Sequence, residues 1–263
     1  MRCRKTGPED LPQLRQIWAL AFDDGPEGDE DFFRTCLQEA IGFAAEEDGQ
    51  LLSALYALPQ TLVCGEQTRS AAYLFAVATR PERRGQGIGA KLLAYAEREL
   101  RKRYVSFVWL VPADGRLRAY YARLGYVPGP CAQERELPAP RGRGACDAVG
   151  AQEYAGMRET LLLDAPHIRC SLAQLRYQAC TDRFFALTLD GRYGCASARA
   201  EDGVIRVTEI LPDASMLPAL MQGLPGRVCR VRTAGPGSPL GMVRQLDGAE
   251  PVPAFYAPFV FDE

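Results

Sequence analysis

The stretch Val77-Ala78-Thr79-Arg80-Pro81-Glu82-Arg83-Arg84-Gly85-Gln86-Gly87-Ile88-Gly89-Ala90-Lys91-Leu92-Leu93 decides the fold. Its first residues are apolar or β-branched, as in a strand. Residues 88–103 then place Leu92, Leu93, Ala96 and Leu100 on one helical face with charges opposite. The turn between strand and helix alternates three glycines behind two arginines. Glycine accepts left-handed backbone and leaves no side chain to screen successive N–H groups, and the following helix adds its positive N-terminal end. Charge-assisted bonds of this kind contribute about 1.5–3 kcal/mol each, so three or four of them, partly offset by binding entropy, give a micromolar anchor. The loop reads as a phosphate cradle.

Two other phosphate motifs fit poorly. Gly85-x-Gly87-x-x-Ala90 meets the loose dinucleotide fingerprint, but Arg80 to Arg84 separate it from its strand. The next strand-like run, 104–111, also holds no acid where a ribose would need one about 20 residues on. Gly89-Ala90-Lys91-Leu92 lacks the Gly-Lys-Ser/Thr of a Walker loop.

Working outward, residues 8–22 and 31–39 predict helices, and Asp48-Gly49 predicts a hairpin turn between strand-like runs at 42–47 and 50–63. Further strands are expected at 70–79 and 104–111, with a short helix at 116–124 closed by Gly125. The result is a mixed α/β unit. Residues 128–150 are rich in proline and glycine, most of all at 138–144, which places a boundary between expected domains 1–140 and 150–263. Beyond it come helices at 153–163 and 171–180, strands at 184–189, 193–200 and 204–211, a helix at 216–221, and strands at 227–232 and 259–261. That order echoes the first unit without its glycine loop.

Composition narrows the class. The 263 residues are 47% hydrophobic and 24% charged, an ordinary globular balance. A net charge of −2 argues against a nucleic-acid binder. The distribution says more: residues 80–103 hold eight basic and three acidic side chains, whereas 23–48 hold ten acids and only Arg34. One region suits an anion, the other a cation. Nine cysteines are scattered singly without a CxxC pair and His167 is the sole histidine, so neither disulfides nor a metal site is expected. No run reaches the roughly 20 apolar residues of a membrane span, and no apolar stretch follows the charged N-terminus, so a cytoplasmic location is expected.

The pattern Arg/Gln-x-x-Gly-x-Gly/Ala, met by Arg84, Gly87 and Gly89, resembles the GCN5-related N-acetyltransferase (GNAT) superfamily. Leu110-Val111-Pro112 and Ala119-Tyr120-Tyr121-Ala122-Arg123-Leu124-Gly125-Tyr126 resemble its later landmarks, and the blend is similar to the enhanced-intracellular-survival branch, whose members carry tandem domains. The resemblance implies an α/β (α+β) fold, a mostly antiparallel GNAT-like sheet flanked by helices and followed by a degenerate second copy. It also implies acetyl-CoA as donor: backbone at Val77 and Thr79 would take the pantetheine arm, and Arg84, Gly85, Gln86, Gly87, Ile88 and Gly89 the pyrophosphate. Tyr121 is implied as general acid toward the departing thiolate, with Tyr120 its neighbour and competitor. The acceptor would be a primary amine on a small cation or peptide, and the second unit would cover the acceptor site or form a homodimer. That branch has a further carboxy-terminal domain that supplies a terminal carboxylate to the active site; this chain is expected to be too short for it, which leaves the role of Glu263 and any aminoglycoside activity open.

For a general base, Glu46, Glu47 and Asp48 are the candidates, and the acids of 23–31 are expected to attract a cationic acceptor. His167 lies far in sequence from the loop and reads as structural. The competing functions are a non-catalytic acyl-CoA-binding regulatory module and, on the loose glycine match alone, a nucleotide-dependent oxidoreductase.

Overall fold

The computed structural model describes residues 1–22, 29–248 and 250–259. In chain order its elements are β1 (Arg2–Lys5), α1 (Leu11–Phe22), α2 (Glu30–Thr35), β2 (Ile41–Glu47), β3 (Gln50–Cys64), β4 (Gln67–Thr79), α3 (Ile88–Arg101), β5 (Phe107–Leu110), α4 (Gly115–Arg123) and β6 (Val127–Pro128). They continue as β7 (Cys131–Pro138), β8 (Ala145–Val149), α5 (Ala151–Leu161), β9 (His167–Arg169), α6 (Leu172–Gln178), β10 (Arg183–Leu189), β11 (Arg192–Glu201), β12 (Val204–Leu211), α7 (Leu217–Gly223), β13 (Val228–Pro239) and β14 (Met242–Gln245). Two compact units result: Met1–Thr61 with Arg69–Val127 and Met242–Val252, and Leu62–Thr68 with Pro128–Gly241 and Pro253–Glu263.

The first unit's sheet runs β1-β2-β3-β4-β5-β14-β6. Asp48 and Gly49 both take positive φ at the β2–β3 hairpin, the geometry a tight turn between right-twisted strands requires. β4 and β5 pair in parallel, and their ladder covers just Ala71↔Phe107, Ala72↔Val108 and Tyr73↔Trp109. Beyond it β4 runs on to Thr79 while β5 stops at Leu110, so the two strands part. Ala76 has φ +49, a conformation that residues with a Cβ rarely adopt, and it kinks β4 just past that ladder. The apolar face of α3 (Leu92, Leu93, Ala96 and Leu100) packs with Phe43, Leu55, Leu74 and Val108 into one core. On the other side of the sheet Trp18, Phe32, Tyr56 and Phe75 pack together, mostly tilted or edge-on, at 4.8–5.9 Å between ring centroids.

The second unit's sheet runs β7-β13-β12-β11-β10-β8, again with a parallel pair, β12 and β13. α7 covers one face through Leu217, Leu220 and Met221; Tyr154, Leu175, Phe184 and Phe259 fill the other. Residues 140–150, expected to join the domains, instead include β8, an edge strand of this sheet paired to β10. The chain passes between units at 61–62, 68–69, 241–242 and 252–253, and also at Val127 and Pro128. The proline- and glycine-rich run there is a loop between two strands that end on opposite edges of one sheet. Helix α2 closes at Thr35 rather than 39, and Tyr104, expected in a strand, sits at φ +61 in the turn before β5. Of the expected last strand, Phe259 is buried but lies outside any strand; residues 260 and 261 lie outside the described residues.

Candidate active site

The strand-to-helix connection after β4 is built as a cradle. Gly85 and Gly87 have φ +76 and +74, and a Cβ placed on either would meet no atom within 4 Å. Gly87 is the N-cap of α3 without a side-chain cap, so no side chain covers the first-turn N–H groups. The loop is tied down from outside. Arg84 donates through Nε to the Thr79 carbonyl at 3.1 Å, Arg83 pairs with Glu47 at 2.7 Å, and Gln86 holds Arg83 at 3.3 Å. Ile88 points inward, packed on Ala45 and Leu52, so it contributes its backbone N–H rather than its side chain.

Arg80, which sequence reading passed over as a loop residue, is buried and anchors the end of β4. It donates to the Leu51 carbonyl at 2.7 Å and to Gln16 at 3.2 Å. Beside it the Ser53 hydroxyl, fully buried, donates to the Ala78 carbonyl at 2.6 Å and lies 2.9 Å from Thr79 Oγ1. Thr79 Oγ1 and the Tyr120 hydroxyl both come within 3.5 Å of the point where a Cβ on Gly89 would stand. Strand end, helix start and α4 thus converge on that glycine, and a larger residue there would crowd both hydroxyls.

The two adjacent tyrosines of α4 face different surroundings, as a 100° step per residue requires. Tyr120 is half-buried with its hydroxyl beside the loop, and burial raises its pKa above 10. Tyr121 is buried, belongs to the core cluster and meets Tyr126 at 5.6 Å between ring centroids. Tyr126 in turn donates to Glu97 at 2.8 Å, and Arg244 of β14 pairs with the same carboxylate at 3.3 Å.

Two of the three expected base candidates are engaged elsewhere, and the third, Asp48, sits at positive φ in the β2–β3 turn. Glu46 accepts from Arg2 at 3.1 Å and Arg4 at 2.5 Å; Glu47 pairs with Arg83 and, at 3.4 Å, with the N-terminal amine. Hydrogen bonds from these cations hold both carboxyls below their ordinary range. Of the acidic stretch, Asp29 caps α2 by accepting from Phe32 N at 2.9 Å and Asp31 pairs with Arg34 at 2.5 Å; Asp23 and Asp24 lie outside the described residues. His167, in the second unit, is buried between the Ala165 carbonyl at 2.7 Å and Glu159 at 3.3 Å. Among the described residues no group of three or more His, Cys, Asp or Glu is placed to hold a metal, and no helix is long and apolar enough to cross a membrane.

Residues 2–129 match the family model described as an acetyltransferase (GNAT) domain. A search of curated proteins finds no match. Among solved structures, the chain is similar to a probable N-acyltransferase of Enterococcus faecalis V583 at 18% identity and a TM-score of 0.76, covering 94% of this chain and 72% of that one. It is also similar to Eis1 of Mycobacterium abscessus at 14% identity and a TM-score of 0.68, covering 94% and 74%. A tandem GNAT protein from the clavulanic acid biosynthesis pathway aligns at 14% identity and a TM-score of 0.56, covering 95% of this chain and 99% of that one. At such identities these likenesses speak for the fold alone. With the family match over residues 2–129 and the strand, glycine loop and helix that carry its motif, the first unit belongs to the GCN5-related N-acetyltransferase family.

Proposed function

We propose that the chain is an acetyl-CoA-dependent N-acetyltransferase acting on a primary amine. The observation that carries this reading is the cradle itself: two left-handed glycines with open space at Cβ, at an uncapped helix N-terminus, beside parallel strands that part. A pyrophosphate fits such a surface because its oxygens accept from backbone N–H groups that no side chain screens. The pantetheine arm, extended like a strand, would lie along the free edge of β4 at Val77 and Thr79.

Acetyl-CoA supplies an activated thioester. A lysine-like amine, with a pKa near 10.4, must shed a proton before attacking it, and the leaving thiolate must gain one. In this reading the neutral amine attacks directly within a ternary complex; the C–N bond forms, the C–S bond breaks, the nitrogen releases a proton to water, and Tyr121 donates a proton to sulfur and regains one from solvent. Tyr120 has a geometric claim on the same role, since its hydroxyl lies beside Gly89 and a raised pKa keeps it protonated at neutral pH. A cytoplasmic setting suits nine free cysteines.

The test is thiol release from acetyl-CoA against a panel of polyamines, aminoglycosides, amino acids and lysine peptides, with Tyr120→Phe, Tyr121→Phe and Gly87→Glu in parallel. The proposal expects acceptor-dependent turnover that Gly87→Glu abolishes and one tyrosine variant lowers in kcat by about 10²-fold or more. Tight acetyl-CoA binding with no turnover on any acceptor would favour the regulatory acyl-CoA-binding module.

A further inference from the structure

The second unit carries its own concave site, far in sequence from the glycine loop. A cavity of about 270 Å³ opens on its sheet, lined by β7, β11, β12 and β13 and by residues of this unit alone. Three observations converge there. The first is position: the parallel β12–β13 ladder ends at Val207↔Val231, and the cavity is lined by those residues and by Thr208 and Arg232 just beyond. Crevices at the carboxyl ends of parting parallel strands are where α/β sheets take ligands. The second is a register shift opposite Ser197 and Ala198, where Ala198 faces Val207 but Ser197 faces Glu209, leaving Thr208 as the extra residue of a bulge. Bulges re-aim side chains and gather beside functional sites.

The third is charge. The lining holds five arginines (Arg135, Arg199, Arg206, Arg230 and Arg232) against two carboxylates, Glu134 and Glu136. Arg232 is nearly buried and fixed at 2.7 Å to both Glu134 and the Pro258 carbonyl; Arg199 is held by Asp182 at 3.0 Å. Arg230 pairs with Glu136 at 3.1 Å and Arg206 with Glu201, and all three of these pairing glutamates, Glu134 included, are about half exposed. Glu136 and Glu201 can swing into solvent without a buried charge being stranded, because their partners Arg230 and Arg206 are surface groups, whereas Glu134 stays with the buried Arg232. A monocarboxylate ligand would only exchange one carboxylate for another, whereas a phosphate dianion brings twice the charge and bridges two guanidinium forks.

We propose that this cavity is a binding site for a small molecule bearing a phosphate dianion, separate from the donor cradle of the first unit. The full chain carrying Gly87→Glu, which blocks the cradle, would be titrated calorimetrically with inorganic phosphate and, separately, with succinate. Phosphate should bind saturably, with succinate at least about tenfold weaker. Arg206→Gln with Arg230→Gln should weaken phosphate about tenfold or more while thermal unfolding stays in place, because both side chains are surface groups. Arg206→Lys with Arg230→Lys should also bind more weakly than the parent, since ammonium groups keep charge but lose the fork. Phosphate affinity indifferent to the arginine substitutions, or succinate binding as tightly as phosphate, would overturn the proposal.

Discussion

The connections β4–α3 and β12–α7 occupy the same place in their two sheets, each leading from one strand of a parallel pair into a helix. Their chemistry is opposite. The first is open and cationic: positive-φ Gly85 and Gly87, no side-chain cap, Arg83 and Arg84 alongside. The second runs through Pro212 to Asp213, whose carboxylate accepts from Ser215 N at 2.8 Å and whose pKa is lowered by its bonds to Ser215. A carboxylate there stands where a phosphate would have to go. One fold position can thus suit an anion or disfavour it according to three or four residues, and the proposal assigns donor binding to the first unit alone.

The contrast extends behind each connection. At the end of β4 the buried Ser53 hydroxyl meets Thr79, and the buried Arg80 guanidinium is held by neutral acceptors, the Leu51 carbonyl and Gln16; near the end of β12 stands a buried ion pair. Arg158 donates through Nε to both oxygens of Glu209 at 3.1 and 2.9 Å, and Tyr154 donates to the same carboxylate. Glu209→Ala would take from the buried guanidinium its fully buried carboxylate, leaving it Glu159 and the Ile168 carbonyl, and should cost the second unit about 3 kcal/mol, read from urea unfolding. Replacing both partners, Arg158→Met with Glu209→Leu, should recover most of that loss. If the single change is as mild as the double, the pair is not what fills this site.

Next in size is Gly87→Glu, which brings a carboxylate into the first cradle and imitates the second connection. Acetyl-CoA should bind about 10²-fold more weakly, with a stability cost near 1 kcal/mol for the left-handed residue. An unchanged affinity would erase the distinction between the loops. A pH titration separates the units further. Glu159 is pushed up by burial, but bonds from His167 and Arg169 outweigh this and hold it at about 2 against an ordinary 4.5. Its lowered folded pKa gives the second unit stability that is fully present above about pH 4.5 and lost as pH falls toward 2. For a carboxylate a quarter exposed this is about 2 kcal/mol, and Glu159→Gln should flatten that limb. The smallest effect is Asp213→Ala, a lost cap worth about 1 kcal/mol, which should not confer acetyl-CoA binding on the second unit.

The cradle was legible because its chemistry is local: alternating glycines, neighbouring arginines and the strand and helix around them lie within 17 residues. The order of most elements in both units was legible for the same reason, since periodicity is a short-range signal. What escaped depends on topology. β14, Met242–Gln245, is four residues long yet completes the first sheet by pairing with β5 from more than 130 residues away. β7 and β8 were masked by the prolines and glycines of the loop joining them. Arg80 read only as part of the segment between strand and glycines, because nothing in sequence places the Leu51 carbonyl beside it. The choice between Tyr120 and Tyr121 turns on which face of α4 meets the sheet, and no local pattern fixes that.

The most direct test of the account is calorimetric titration of acetyl-CoA into the full chain and into its Gly87→Glu variant. The account predicts one high-affinity site per chain that the substitution removes. Two equivalent sites, or one that survives Gly87→Glu, would contradict it.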